Sequence, residues 1–299
     1  MPKLSVIMSV YNESKDVLEQ AIDSILKQTF TDFEFLIVND NPDNRDIYEF
    51  LANKERNDER IILIINENNM GLSASLNRGI KASSSNLIAR MDADDISLPN
   101  RLEVEYNTLA QTNADIVGSN AIVIDEDDNE IKEFYEKPIN NPKEKLLQYN
   151  VLIHPSTMFN KTLFEKVGGY REIKYAEDYD LWLRMLEYDP NVDIIEQPLL
   201  KYRIRKAGIS QSNAVKQFMT SVYVQKKYLQ RLKNGNDSFS VEEQKTYIDN
   251  NFPDSKDLDY VEDRLGQKNR DGLLQALLKS NFFRSYYMHK VKMALFSKL

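Results

Sequence analysis

Leu87-Ile88-Ala89-Arg90-Met91-Asp92-Ala93-Asp94-Asp95 is a short apolar run that ends in three carboxylates within four residues. A run of this length after Ser83-Ser84-Ser85-Asn86 predicts a buried strand over Leu87–Met91. Carboxylates crowded this closely repel one another, and a folded chain normally holds them with a cation. Hard oxygen donors suit Mg²⁺ or Mn²⁺, ions that usually also bind substrate phosphates. A plain acidic turn capping the following helix is the other reading, and the residues alone leave both open. An EF-hand does not fit, because Ile96 and Ser97 stand at the next ligand and glycine positions.

Upstream, the same kind of run recurs at Leu4–Val10, Phe33–Val38 and Ile61–Ile65. Between the runs lie helical patterns. Val17, Leu18, Ala21, Ile22, Ile25 and Leu26 repeat at helical spacing behind Ser14, a suitable N-cap, and Asp46–Arg56 and Leu72–Ala82 also read as helices. Strand–helix–strand alternation predicts an α/β fold, a mostly parallel sheet flanked by helices. Ligands of such sheets bind beyond the carboxyl ends of the strands. The residues to watch are therefore Ser9–Glu13, Asn39–Asn44, Asn66–Gly71 and Asp92–Asp95.

Downstream, Ala121–Ile124 and Ile131–Phe134 flank an acidic hairpin turn. Asp125, Asp127, Asn129 and Glu136 have EF-hand spacing, but Glu130 occupies the glycine position, which favours a solvated hairpin tip over a calcium loop. Leu181, Trp182, Met185 and Leu186 mark a helix, and Leu199–Ile204 a late strand. From Ala214 the pattern is helical only, with a polar break at Asn234–Ser240. A boundary near Gly208–Asn213 divides residues 1–212 from a helical C-terminal region, 213–299.

The 299 residues carry 39 basic and 47 acidic side chains, a net charge of −8, which disfavours nucleic acid as a partner. The absence of cysteine excludes a disulfide scaffold and thiol catalysis, and two histidines exclude a multi-histidine metal site. No apolar stretch approaches the roughly 20 residues of a membrane span, and no secretory h-region follows Met1-Pro2-Lys3. An intracellular, cytoplasmic protein is expected. Neither a G-x-G-x-x-G nor a P-loop pattern is present, which argues against dehydrogenases and P-loop NTPases.

Glu177-Asp178-Tyr179-Asp180-Leu181-Trp182 opens a helix. Its carboxylates suit the helix dipole, and a desolvated one could equally serve as a general base. Tyr11 at the first strand's end could stack on a base or join the core. His154 in His154-Pro155-Ser156-Thr157 reads more readily as a structural hydrogen-bonder than as a catalyst.

Taken in order, these motifs resemble the family 2 glycosyltransferases with the GT-A fold, especially bacterial enzymes of capsule, exopolysaccharide and lipopolysaccharide biosynthesis. The resemblance runs from Lys3 to about Ser212. It rests on Leu4–Glu13, Ile37-Val38-Asn39-Asp40, Asn69-Met70-Gly71-Leu72 with Leu76–Ile80, Ile88–Asp95, His154-Pro155 with Val167–Tyr170, and Glu177–Trp182. It implies a UDP-sugar donor held by Val10, Tyr11, Glu13, Asp40, Asn69, Arg78, Arg90, Asp92 and Ala93. It implies a divalent cation on Asp94 and Asp92, and Asp178 as the base of an inverting transfer. His154, Glu177 and Trp182 would shape the acceptor pocket.

Departures from the family pattern are Asn39 for an aspartate, Asn41-Pro42 for Gly-Ser, Leu76 for an arginine, and Arg205 where many relatives have a metal-contacting histidine. Arg205 would instead reach the diphosphate. The missing Q-x-x-R-W motif favours transfer of single sugars. A nucleotidyltransferase of similar architecture and a non-catalytic nucleotide-sugar binder remain alternatives. A lipid-linked saccharide is the expected acceptor, and a homodimer is an open expectation. Lys279–Leu299 lacks Asp and Glu and interleaves Lys and Arg with Phe and Tyr, which suits peripheral contact with the inner membrane face or packing on protein.

Overall fold

The computed structural model describes residues 1–135, 139–204 and 214–251. Arg205, the Gly208–Asn213 boundary, Glu136 and the basic aromatic tail lie outside the described residues. The first half runs β1 (Leu4–Val10), α1 (Lys15–Leu26), β2 (Phe33–Asn39), α2 (Arg45–Asn57), β3 (Ile61–Ile65), α3 (Leu72–Ala82), β4 (Leu87–Asp92), β5 (Ile96–Ser97) and α4 (Arg101–Thr112). The second half runs β6 (Ile116–Ile124), β7 (Glu130–Glu133), α5 (Pro142–Leu146), a 3₁₀ turn (His154–Ser156), β8 (Met158–Asn160), α6 (Lys161–Lys166), α7 (Glu177–Leu186) and β9 (Val192–Arg203). Two helices, α8 (Ala214–Asn234) and α9 (Val241–Asn251), follow.

One sheet has the order β3-β2-β1-β4-β8-β6-β9-β5, with β7 paired to β6. It is parallel across β3-β2-β1-β4, as alternation predicts, and mixed beyond, because β8 runs antiparallel to both β4 and β6. That reversal positions the site. Met158 pairs with Ala89, so the residues preceding β8 lie beside the carboxyl end of β4, and the Arg90 amide donates to the Thr157 carbonyl at 2.9 Å.

Side chains alternate across β1. Val6, Met8 and Val10 pack with Leu18 and Ile22 of α1, while Ile7 faces Leu76 and Ile80 of α3 in the opposite core layer. Gly79 lets α3 lie flat on the sheet, since a Cβ there would sit 2.8 Å from Ile7 Cγ2. Ser14 stands at the N-cap of α1, although its side chain makes no capping bond. Tyr223 and Val224 of α8 join the core layer built around α7, and Arg231 pairs with Glu187.

The β6–β7 hairpin is antiparallel, and the Asp125 carboxylate accepts the amides of Asp127 and Asn129, both at 2.9 Å. Those bonds spend Asp125 on closing the turn. Among the described residues, no helix is long and apolar enough to cross a membrane.

Candidate active site

β4 delivers its carboxylates past the sheet edge. One oxygen from each of Asp92, Asp94 and Asp95 lies within 4.8 Å of the others. Asp95, outside the expected Asp92/Asp94 pair, is 1% exposed, and its Oδ1 accepts the Arg203 amide at 2.8 Å. Its Oδ2 is buried with no hydrogen-bond donor. Burial, then the charges of Asp92 and Asp94, push the Asp95 carboxyl well above the ordinary range. Crowded hard donors with an unsatisfied buried oxygen fit a divalent cation. Arg203 pins this segment: its Nε donates to the Asp94 carbonyl at 2.7 Å and its Nη2 to Gln20 Oε1 at 3.1 Å.

Arg90 sits at the centre. Its guanidinium is buried and ion-paired with Asp92, and its Nε has no hydrogen-bond partner. Burial opposes its charge, but the Asp92 carboxylate outweighs that and raises its pKa. The same charge acts on His154, Tyr170, Glu177 and Asp178, so the acidic cluster and the start of α7 share one cation. Arg90, expected among the donor-binding residues, is a buried counter-charge to Asp92.

On the α7 side, Asp178 is half-buried. Its Oδ2 accepts Asn150 Nδ2 and its Oδ1 the Tyr179 amide, both at 2.7 Å. Burial raises its pKa, while these two bonds and Arg90 hold it back. Burial and the Asp178 charge push Glu177 up to about 7. His154 Nε2 lies 2.7 Å from Tyr170 Oη, and burial followed by Arg90 keeps the imidazole neutral. Burial raises the Tyr170 pKa, so its phenol keeps its proton.

Trp182, expected on the acceptor pocket wall, is 0% exposed. It packs edge-on against Phe159 and His154 as the floor beneath the site, since an indole at this α7 position faces the sheet. Asp180, in the same acidic run, is also structural: Arg171 Nε and Arg184 Nε donate to its Oδ2 at 3.0 and 2.9 Å.

The loops beyond β1, β2 and β3 form the third part. Tyr11 is exposed, and Glu13 Oε2 accepts the amides of Tyr11 and Asn12 at 2.9 and 3.1 Å. Val10 and Ala93 have buried side chains and can offer only backbone to a ligand. Asp40 is buried, and its carboxylate accepts Asn66 Nδ2 at 2.6 Å and the Met70 and Gly71 amides at 2.7 and 2.9 Å. It therefore holds the 66–71 loop, with Asn69 exposed on that loop and Gly71 at φ 84°. Arg78, also expected among the donor-binding residues, donates to the Ile65 carbonyl at 2.8 Å and to Asn66 Oδ1 at 2.6 Å.

Asn150 and Arg203 take part in the site without an expected role there. Asp95 sits inside the quoted acidic run and was legible there. Asn150 carries no local signal, because its partner lies 28 residues away; Tyr170, in the Val167–Tyr170 motif, meets His154 across 16 residues.

A sheet of this topology, with carboxylates at the end of β4 and at the start of α7, is that of the GT-A class of glycosyltransferases. The family described as Glycosyl transferase family 2 matches residues 5–168, and the chain belongs to that family. It is 37% identical over 238 residues to an uncharacterized glycosyltransferase of Methanocaldococcus jannaschii, covering 78% of this chain and 81% of that one. It is 36% identical over 231 residues to the O-antigen biosynthesis glycosyltransferase WbnJ of Escherichia coli, covering 76% and 89%. An Escherichia coli UDP-Glc:alpha-D-GlcNAc-diphosphoundecaprenol beta-1,3-glucosyltransferase is 30% identical over 72% of this chain and 81% of its own length. In fold the chain is similar to S. aureus TarS 1-349 in complex with UDP-GlcNAc, with a TM-score of 0.60 at 16% identity over 82% of this chain and 70% of that one.

Proposed function

We propose that this glycosyltransferase moves one sugar from a UDP-sugar to a hydroxyl of a lipid-linked saccharide, with inversion, in the assembly of a surface polysaccharide. The observation that carries this reading is the cluster of Asp92, Asp94 and Asp95 at the carboxyl end of β4, whose oxygens lie within 4.8 Å of one another and include a buried Asp95 Oδ2 with no donor. Named relatives that act on diphosphoundecaprenol-linked sugars support the acceptor class.

Asp92, Asp94 and Asp95 are the residues that would hold a divalent cation, Mn²⁺ or Mg²⁺, which when bound neutralises the leaving diphosphate. Exposed Tyr11 offers a ring to the uracil, beside the loop that Asp40 holds. Asp178 accepts the proton of the acceptor hydroxyl as that oxygen attacks the anomeric carbon. The new glycosidic bond forms on the face opposite the departing UDP, whose oxygen leaves with the bonding pair. A single displacement therefore inverts the anomeric centre. Neutral His154 and protonated Tyr170 offer polar contacts without adding charge beside the base.

The test is calorimetric titration of UDP with and without Mn²⁺, paired with UDP release from UDP-sugars. Asp94→Ala should lose the metal-supported part of UDP affinity while keeping its melting temperature. Undiminished affinity in the variant would remove the cluster from the donor site. Binding without turnover of any UDP-sugar, acceptor present, would leave a nucleotide-sugar binder.

A further inference from the structure

Beneath β4 lies a charged pair that the proposed reaction does not use. Arg101 opens α4, and Glu105 follows one turn later on the same helix; both are 0% exposed. Their closest approach is 3.5 Å, from Arg101 Nε to Glu105 Oε1, and neither Glu105 oxygen accepts a hydrogen bond. Such a pair stabilises a fold poorly, because desolvating two charges costs more than a loose contact returns. Burial pushes Glu105 up to about 7 against the pull of Arg101, and burial lowers Arg101 as well.

The donors of Arg101 explain why the cation is there. Its Nη2 donates to the carbonyl of Arg90 at 2.9 Å and its Nη1 to the carbonyl of Pro155 at 2.7 Å. The first carbonyl belongs to β4, two residues before Asp92. The second belongs to the 3₁₀ turn that carries His154. The Arg90 amide's bond to the Thr157 carbonyl and the β4–β8 ladder tie β4 to the residues just after this turn, and the Arg101 fork adds a side-chain tie to the turn itself. A planar fork can reach two carbonyls on separate elements at once, which an ammonium group cannot do in the same geometry. Glu105, which burial pushes toward its neutral form, packs beside the fork and accepts no hydrogen bond from it, so the two carbonyls hold the guanidinium in place.

We propose that Arg101 is a positioning residue: its fork fixes the strand bearing the acidic cluster against the turn bearing His154, and so sets the donor side of the site against the acceptor side. The proposal rests on the reading of the two sides given above. It predicts that losing Arg101 spoils alignment and leaves donor binding intact. Misplacement of reacting groups by about 1 Å can cost on the order of 10²-fold in rate.

The decisive variant is Arg101→Met combined with Glu105→Met, which removes both charges together and leaves neither buried alone. It should melt near the wild-type temperature and bind UDP with Mn²⁺ within about threefold of wild type, while kcat falls by about tenfold or more. Glu105→Gln keeps both carbonyl bonds and should keep wild-type kcat; Arg101→Lys should fall with the double variant. Wild-type kcat in the double variant would overturn the proposal, as would an equal loss in Glu105→Gln. A second readout does not depend on turnover. Amide exchange at Arg90 should quicken in the double variant and stay unchanged in Glu105→Gln. If wild type turns over no UDP-sugar, the functional reading fails, and unchanged exchange at Arg90 in the double variant would separately defeat the brace.

Discussion

Replacing Asp178 by Asn separates chemistry from binding, and the local geometry sets the size of each effect. The substitution keeps the shape of the side chain and removes its charge. The retained oxygen can still accept the Tyr179 amide, bonded at 2.7 Å in the native protein. The new amide meets Asn150 Nδ2, which donates to Asp178 Oδ2 at 2.7 Å, so Asn150 must turn. Turning forfeits its bond from the Leu152 amide, now 3.2 Å, a net loss of about 1 kcal/mol. Relief of a carboxylate that burial disfavours works in the opposite direction. Stability should therefore stay within about 1 kcal/mol of wild type. A positioned general base is worth about 10²–10⁴-fold in rate, or about 3–5 kcal/mol of barrier. The assay is UDP release at saturating UDP-sugar and lipid-linked acceptor, with UDP affinity measured in parallel. A rate within about threefold of wild type, far from the base's expected worth, would refute the assignment. So would a rate loss accompanied by an equal loss of UDP affinity.

Three further outcomes follow from the same geometry. Burial raises the Asp178 carboxyl, so kcat should fall on the acid side as Asp178 takes up a proton; Glu177, pushed to about 7 by burial and the Asp178 charge, is its like-charged neighbour, and Glu177→Gln should move that acid limb to lower pH in a pH–rate profile. Glu105 is also raised, from an ordinary 4.5 to about 7, so the native state holds its proton longer than the unfolded chain. Its contribution to stability is then fullest below pH 4.5 and is lost as pH rises to about 7, by on the order of 3 kcal/mol; Glu105→Gln should flatten that part of the slope in urea denaturation across that range. Gly169→Ala puts a Cβ at φ 72° and 2.7 Å from Asn77 Oδ1, the atom that accepts the Tyr170 amide. It should cost at least about 1–2 kcal/mol in chemical denaturation and weaken the grip on Tyr170, the hydrogen-bond partner of His154.

The parallel half of the sheet was legible because its signals are local. Strand runs at Leu4–Val10, Phe33–Val38, Ile61–Ile65 and Leu87–Met91 stand within one residue of β1, β2, β3 and β4. The elements that close the acceptor side were hidden for physical reasons. β8 is three residues long, too short for any periodicity, and its place between β4 and β6 is a tertiary fact. The first half of β9, Val192–Pro198, is only partly buried and carries Asp193, Glu196 and Gln197, so its alternation is weak. α4 hides its character because Arg101 and Glu105 occupy core positions where a pattern reader expects apolar residues. Within the site, carboxylates betrayed themselves by density in sequence, as in Asp92–Asp95. The side chains that orient them did not, because Asn150, Arg203 and Arg101 reach across 28, 109 and 54 residues to their partners.

Arg90, Arg101 and Arg203 are all buried, and all three end on or beside the segment from Arg90 to Asp95. Their distribution has a direction. Arg203 grips the far end of the segment from β9, Arg101 grips the near end from α4, and Arg90 answers the charge of Asp92 from within. Each contact is a carbonyl, an amide or a carboxylate whose position along the chain is set by covalent geometry, so the acidic cluster has little freedom relative to the sheet. A reaction that must align a leaving diphosphate, an anomeric carbon and an incoming hydroxyl gains most when one of its two sides is fixed in advance. The proposed acceptor side has fewer charged supports: half-buried Asp178 is held by Asn150 Nδ2 and the Tyr179 amide, and His154 by Tyr170. The fold therefore makes β4 the reference against which the proposed base is placed, and substitutions beneath β4 should act on the rate even where they touch neither substrate.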